Sequence, residues 1–371
     1  MSLPFIKFSE PEIGNEEIKA ALSVMRSGWL TSGPKVFEFE NNFSNYLNNV
    51  AHCSAVNSAT SGLHLALESL GLKPGDEVIL PTLTFTASAE AIDYLGLNIK
   101  FCDVDSSTLN IDINSMLNCI GPKTKAIMVV HFGGLSCNMD EIIEIARKHK
   151  LFIIEDAAHA FPSLYKSKLI GTLDTDATVF SFYANKTMTT GGEGGMVVTK
   201  SKKRSKRIKL MRVHGIDRDV HDRFVSKKPS WFYTVIESGY KYNLTDLAAS
   251  IGIEQLKKID SFTSKRRLLA NFYLENLPMD RLDTQITAEN INQHSCHLFI
   301  IKLKNSSMNK RNELINFLSK KGIGTSVHYI PLHRQPYWKH KYNLKSTCFP
   351  NAELVYKSSI SLPLYPSLKK K

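Results

Sequence analysis

LFIIEDAAHA (151–160) and ATVFSFYANKTMTTGGEGG (177–195) decide the fold. Each opens with an apolar run of strand length and closes on residues that can do chemistry. The first run ends at Asp156, with His159 three residues on. The second carries Ser181 at its end and Lys186 just beyond, followed by a glycine-rich turn. Strands of a parallel sheet are buried on both faces and read as near-continuous apolar runs. Ligands of open α/β sheets sit beyond the carboxyl ends of such strands. Chemical side chains at two strand ends therefore predict an α/β fold with its site along one sheet edge.

Working outward, GDEVILP (75–81), NIKFCDVD (98–105) and KAIMVVHF (125–132) read as further strands. SATSGLHLALESLGL (58–72) and MDEIIEIARKHK (139–150) have apolar residues at helical spacing. This alternation predicts a largely parallel sheet with helices on both faces. Past residue 245 the pattern changes. Residues 244–277 read as one long or broken helical region, CHLFIIKL (296–303) as a strand, NKRNELINFLSKKG (309–322) as a helix and TSVHY (325–329) as another strand. The expected division is a large α/β domain over 1–245 and a smaller α+β domain over 246–371. No internal repeat is evident, and SLKKK at the end reads as a solvated tail.

The chain has 371 residues, 43% of them hydrophobic, which is ample for a buried core. No apolar run reaches the 18 or so residues a transmembrane helix needs. The first residues turn acidic where a secretory signal would be basic and then apolar, so a cytoplasmic protein is expected. The six cysteines include no C-x-x-C pair and read as reduced thiols. No cluster has metal-ligand spacing, so no metal is expected. The formal charge of +12 suits an anionic small molecule. The densest basic cluster, Lys202 to Lys209, lacks the interleaved aromatics of a nucleic-acid surface. It reads as a solvated helix face in preference to a phosphate site.

Asp156, Lys186, Ser181 and the small residues Asn57 to Gly62 at a helix start together match what pyridoxal phosphate (PLP) requires. Its aldehyde needs a lysine amine, its ring nitrogen a carboxylate, and its phosphate a helix N-terminus with hydroxyls. Further stretches then carry a resemblance: SGWLTSGP (27–34), FEFENNF (37–43), NSATSGLHLAL (57–67), GDEVILPTLTFTASAEAI (75–92), EDAAHA (155–160), FSFYANKTMTTGGEGGMVVT (180–199), GYKYNLTDLAASIG (239–252) and GIGTSVHYIPLHRQPYW (322–338). Over residues 5–366 the chain resembles the DegT-type (DegT/DnrJ/StrS-like) sugar aminotransferases, fold type I PLP enzymes that aminate keto sugars on nucleotide carriers.

That resemblance implies specific roles. Lys186 carries the cofactor as a Schiff base and later shuttles the proton, and Asp156 pairs with the pyridine nitrogen. His159 lies near the ring and its 3′ oxygen, and Phe85 stacks on the ring. Ala59, Thr60 and Ser181 take the phosphate. Lys241 stands at a position that commonly carries Asn and reaches the phosphate across a homodimer interface, so shared sites are expected. A solvated surface lysine is the alternative. Asn243 stands where Arg is frequent, with no role assigned. Thr31, His328 and His333 are substrate candidates, the two histidines equally readable as structural. The implied partners are a nucleotide sugar and L-glutamate, in the making of surface polysaccharide such as lipopolysaccharide O-antigen. KTMTTGGEGG (186–195) resembles members acting at C-4 more than the KNLGA-type turn of C-3 enzymes. UDP, dTDP and GDP stay open as carriers.

Two rivals are weighed. PLP-dependent sugar dehydratases carry His at the Schiff-base position, where this chain has Lys186. Non-catalytic regulatory relatives carry a preceding DNA-binding domain, whereas the motifs here begin near residue 11. Many family members continue past PLYPSL (363–368) into a final helix; ending at Lys371 reads either as a looser small domain or simply as a shorter chain.

Overall fold

The apolar runs become the middle of a seven-stranded sheet. The computed structural model describes residues 5–217 and 231–369. Strand order across the sheet is His52–Val56, Gly195–Thr199, Ala177–Ser181, Phe152–Asp156, Thr124–Val130, Glu77–Pro81 and Asn98–Cys102. The last five run parallel. Gly195–Thr199 runs antiparallel to both of its neighbours. Successive side chains of a strand face opposite sides, and the core divides accordingly. Ile127, Val129 and Ile153 join Phe39, Phe43 and Phe182 on one face. Met128, Val130 and Ile154 join Leu63, Leu65 and Ile92 on the other.

Helix Ala59–Glu68 lies tight on the second face. Its N-cap Ser58 accepts from the Ser61 N–H at 3.1 Å. A Cβ on Gly62 would stand 2.7 Å from Val179 Cγ1, so glycine is what allows the close approach. Helix Asp246–Asn276 is one unbroken element of 31 residues. It packs on the helices Asn15–Ser27 and Pro34–Tyr46. Its first residue also caps another helix: the Asp246 carboxylate accepts from the N–H groups of Gly33, Lys35 and Val36 at 2.7, 3.1 and 3.0 Å. Those donors are among the four left without partners at a helix start.

Beyond this helix a three-stranded antiparallel sheet has the order Leu282–Thr284, Phe299–Leu303, Ser359–Leu362. The expected strand at 325–329 is corrected. Only Ser326 bridges the sheet, to Ser361, after which the chain leaves the edge. His328 is then held by Ser361 Oγ at 2.8 Å, and Tyr329 turns toward the large sheet. The N-terminal segment joins this part too, Ile6 bridging Ile323.

The basic stretch also differs from expectation. Helix Lys202–Met211 is fastened by ion pairs instead of presenting a wholly solvated face. Arg204 meets Asp176 at 2.8 Å, Lys209 meets Glu40 at 2.7 Å, and Arg207 bonds both Glu68 and Glu237. The cysteines are free, with Cys53, Cys102, Cys137 and Cys296 buried. Among the described residues no helix is long and apolar enough to cross a membrane. The expected solvated tail falls partly on Lys370 and Lys371, outside the described residues.

Candidate active site

A cleft of about 460 Å³ opens where the parallel strands end. Asp156 closes its strand at the floor, buried to 6% exposure. Its Oδ2 accepts from Ser88 Oγ at 2.7 Å and its Oδ1 from the Ala158 N–H at 3.1 Å. Burial pushes its carboxyl above the ordinary carboxylate value, while Ser88, the Ala158 N–H, Lys186 and His131 pull the other way. Glu155, one residue earlier, points to the opposite side. It is held by His131 at 2.9 Å, Thr175 at 2.5 Å and Thr178 at 2.6 Å. The His131 N–H in turn donates to the Asp156 carbonyl at 3.1 Å. This buried network fixes the strand end from behind.

Lys186 reaches the cleft from the loop after Ala177–Ser181. Burial brings its amine down to about 8, with the Asp156 charge opposing. A carboxylate and an amine thus share one cleft, each destabilised in its charged form by loss of water.

One wall is the first turn of Ala59–Glu68, where Ser58, Ala59 and Thr60 line the cleft together with Ser181. Close approach here depends on Gly195, whose Cβ would lie 2.9 Å from the Ala59 nitrogen, the Phe180 oxygen and the Ser58 carbon. All three obstacles are backbone, so a side chain could be admitted only by moving the helix start off the sheet. Phe85 forms the opposite rim, 57% exposed, at the N-cap of Thr86–Asp93. The third side comes from the far end of the chain. Tyr329 lies 5.6 Å, ring to ring, from Phe85, and its hydroxyl sits 3.0 Å from His159 Nε2. His328 lines the same side, its imidazole held down to about 4 by burial and the Lys186 charge.

The structure therefore gathers Lys186, Asp156, His159, Phe85, Ala59, Thr60, Ser181 and His328. It does not gather His333, which is corrected here. His333 is 1% exposed, stacked on Phe349 at 4.8 Å and bonded to Glu353 at 2.8 Å and Thr82 at 2.9 Å. It joins the loop after Tyr329 to the sheet and has no face toward the cleft. Thr31 is exposed and outside the cleft of its own chain, its carbonyl accepting from the Asp246 N–H at 3.2 Å. Lys241 is likewise exposed and outside it. Asn243 acquires a structural role, donating to Ser32 Oγ at 2.7 Å and so anchoring the 27–34 loop. Ser88, Tyr329, Asn185 and Glu193 are cleft residues that residue-by-residue reading of the sequence passed over. TLTFTAS and SVHY contain two of them, but nothing in local pattern says which hydroxyl faces inward.

The family model for the DegT/DnrJ/EryC1/StrS aminotransferases matches residues 11–371. Spore coat polysaccharide biosynthesis protein SpsC of Bacillus subtilis is 41% identical over 368 residues, covering 98% of this chain and 93% of SpsC. The uncharacterized protein MJ1066 of Methanocaldococcus jannaschii is 44% identical over 367 residues, covering 98% and 94%. Among solved structures, the PMP-form of the putative sugar aminotransferase Spr1654 from Streptococcus pneumoniae superposes with a TM-score of 0.92 at 32% identity. That match covers 98% of this chain and 95% of Spr1654, which is also known in a PLP-form. The chain belongs to the DegT/DnrJ/EryC1/StrS aminotransferase family. It is a PLP-dependent sugar aminotransferase of fold type I.

Proposed function

We propose that this family member moves the amino group of L-glutamate onto a nucleotide-linked 4-keto-6-deoxy sugar, in the cytoplasm, for a surface polysaccharide. The observation that carries this reading is Lys186, an amine brought down to about 8 in the cleft that Asp156 floors. The part SpsC takes in spore coat polysaccharide biosynthesis supports the product class, and the +12 charge suits a nucleotide diphosphate.

The residues present fit the cofactor. Backbone N–H groups of Ala59 and Thr60 at a helix start, with the Ser181 hydroxyl, form a donor set for a dianion, and Gly195 lets that helix start sit close against the sheet. Phe85 and Ala158 both line the cleft and would cover the ring on its two sides. When bound, PLP supplies an aldehyde that accepts the amino group and a ring that withdraws electrons from the carbon losing its proton. Asp156, held in place by Ser88, keeps the proton on the ring nitrogen. Lys186 would hold the cofactor and, once displaced by the donor amine, would carry the proton from the donor's Cα to the former aldehyde carbon on the other side of the nitrogen. A base with a value near working pH does both steps well, which is the use of the lowered amine. The same steps in reverse serve the keto sugar, so the kinetics are ping-pong.

Two chains complete each site in this reading. Tyr240 and Tyr242 stack at 5.1 Å, and Tyr242 bonds His64 at 3.2 Å. The intervening Lys241 stands exposed, available to a partner's phosphate site. Phe85 and Tyr183, both at the cleft, are also largely exposed, as an interface at the cleft mouth would require.

The deciding experiment incubates purified enzyme and glutamate with a panel of UDP-, dTDP- and GDP-linked 4-keto-6-deoxy sugars. An amino sugar formed in step with 2-oxoglutarate supports the assignment. No amination of any panel member by a PLP-loaded enzyme sinks it.

A further inference from the structure

Among the described residues two carboxylates line the cleft, Asp156 and Glu193. Asp156 closes the floor, whereas Glu193 is exposed and its carboxylate has no hydrogen bond or ion pair there. Its backbone, by contrast, is pinned. The Glu193 carbonyl accepts from Thr190 Oγ1 at 2.7 Å. On one side, the Gly192 carbonyl accepts from the Ala184 N–H at 3.0 Å, and the Gly192 N–H donates to Thr189 Oγ1 at 3.3 Å. On the other, the Gly194 carbonyl accepts from the Phe182 N–H at 2.9 Å. Gly192 holds a φ of 142°, which suits glycine alone. A Cβ on Gly194 would stand 2.1 Å from Thr190 Oγ1. In the run GGEGG (191–195), Glu193 is therefore the one side chain, presented at the cleft from a fixed backbone. That backbone shares its hydrogen bonds with the segment leading to Lys186.

What this group can recognise follows from its charge. A carboxylate accepts hydrogen bonds and cannot donate them. It repels both carboxylates of glutamate and the phosphates of a nucleotide. The charge that acts on the Lys186 amine is that of Asp156, so Glu193 stands back from the proton being moved. Neutral donors remain, and a keto sugar carries them as ring hydroxyls. We propose that Glu193 accepts a hydrogen bond from a pyranose hydroxyl of the keto sugar and is a specificity-determining residue for the acceptor half of the reaction. This rests on the amino-transfer reading of the cleft. A hydrogen bond to an ionised acceptor is about twice as strong as a neutral one. A site built to bond a hydroxyl also rejects the analogue lacking it far more strongly than an apolar pocket rejects one methylene. Glu193 thus sorts sugars by a hydroxyl that takes no part in the chemistry.

The test uses Glu193→Gln and Glu193→Ala; an exposed side chain without a partner should be replaceable without loss of folding. Binding of UDP and dTDP, and of UDP- and dTDP-linked 6-deoxyglucose, is measured by calorimetry on protein loaded with pyridoxamine phosphate. For whichever sugar wild type binds more tightly than its bare nucleotide, affinity should fall about fivefold in the Gln variant and about tenfold or more in the Ala variant. Affinity for the bare nucleotide should hold. An equal loss for nucleotide and nucleotide sugar would move Glu193 to the ribose, and no loss for either would leave it without a ligand; both overturn the proposal, as does wild type binding no sugar better than its nucleotide. The two half-reactions are then timed separately by the cofactor's absorbance. The rate with glutamate should stay within about twofold of wild type, while kcat/KM for the 4-keto-6-deoxy sugar falls through KM. A slower glutamate half-reaction, or weaker PLP retention, would place Glu193 with the cofactor and refute its role. The binding arm needs no turnover, so a wild type that binds these sugars but aminates none fails the functional reading and leaves this result standing or falling by itself.

Discussion

Lys186→Met should make the cofactor-free protein more stable while removing turnover. The amine falls from an ordinary 10.5 to about 8 in the fold. At about 1.4 kcal/mol per unit this is about 3 kcal/mol against the charged form. The side chain is part-exposed, so water screening leaves between about 1 and 3 kcal/mol. A lysine whose folded value lies below its unfolded one costs stability wherever the unfolded state binds the proton. The cost is full below about pH 8, fades up to about pH 10.5, and is absent above. Methionine is similar in length and flexible, so it fills the space without a charge. Urea unfolding of stripped wild type and variant, at about pH 7 and about pH 10, separates this from a packing effect. The variant should lead at the lower pH and lose most of that lead at the higher. Adding PLP should reverse the order, since wild type alone gains from covalent binding. A lead of equal size at both pH values, or a variant less stable at pH 7, would refute the reasoning.

Asp156→Asn should cut the amino-transfer rate at least tenfold, or about 1.4 kcal/mol. The melting temperature of cofactor-free protein should not fall, because burial already disfavours that carboxylate; a milder rate loss, or a large drop in melting temperature, counts against it. Gly195→Ala puts a methyl within 2.9 Å of three backbone atoms, so a loss of about 1–3 kcal/mol is expected. Weaker PLP retention on gel filtration should accompany it, and unchanged retention would show that the helix start is not the phosphate seat. Finally, inactive Lys186→Ala chains co-assembled with Lys241→Ala chains should regain full-strength sites, because one site of each hybrid carries both defects and the other neither. Activity no higher than the parental average would rule out the shared site.

The sheet's parallel centre was readable because burial on both faces leaves a continuous apolar signature, as in KAIMVVHF and LFIIEDAA. Lys186, Asp156 and Ser181 stood out for a related reason: Asp156 and Ser181 end such runs and Lys186 lies five residues past Ser181, so the strand that reveals each also places it. What escaped reading depends on distant partners. Ser88 gains meaning only from Asp156, 68 positions later, and Tyr329 from His159, 170 positions earlier. TSVHY looked like a strand from composition, but composition does not say whether a paired edge continues beyond Ser326. His333 misled because a histidine beside an irregular loop carries no mark of the buried glutamate, Glu353, that claims it.

The Asp246 cap sets an order of events during synthesis. The N–H groups it satisfies, at Gly33, Lys35 and Val36, precede it by 213, 211 and 210 residues. At about 5–20 residues per second, the start of that helix waits roughly 10–40 s for its partner to be made. Phe39 and Phe43, fully buried in the finished protein, sit on the same helix. The neighbouring strand His52–Val56 must await Gly195–Thr199. The first sixty residues thus leave the ribosome with apolar side chains and nothing yet to cover them. That interval is when a chaperone would be needed, and a nascent chain halted before residue 246 should be the aggregation-prone and protease-sensitive species.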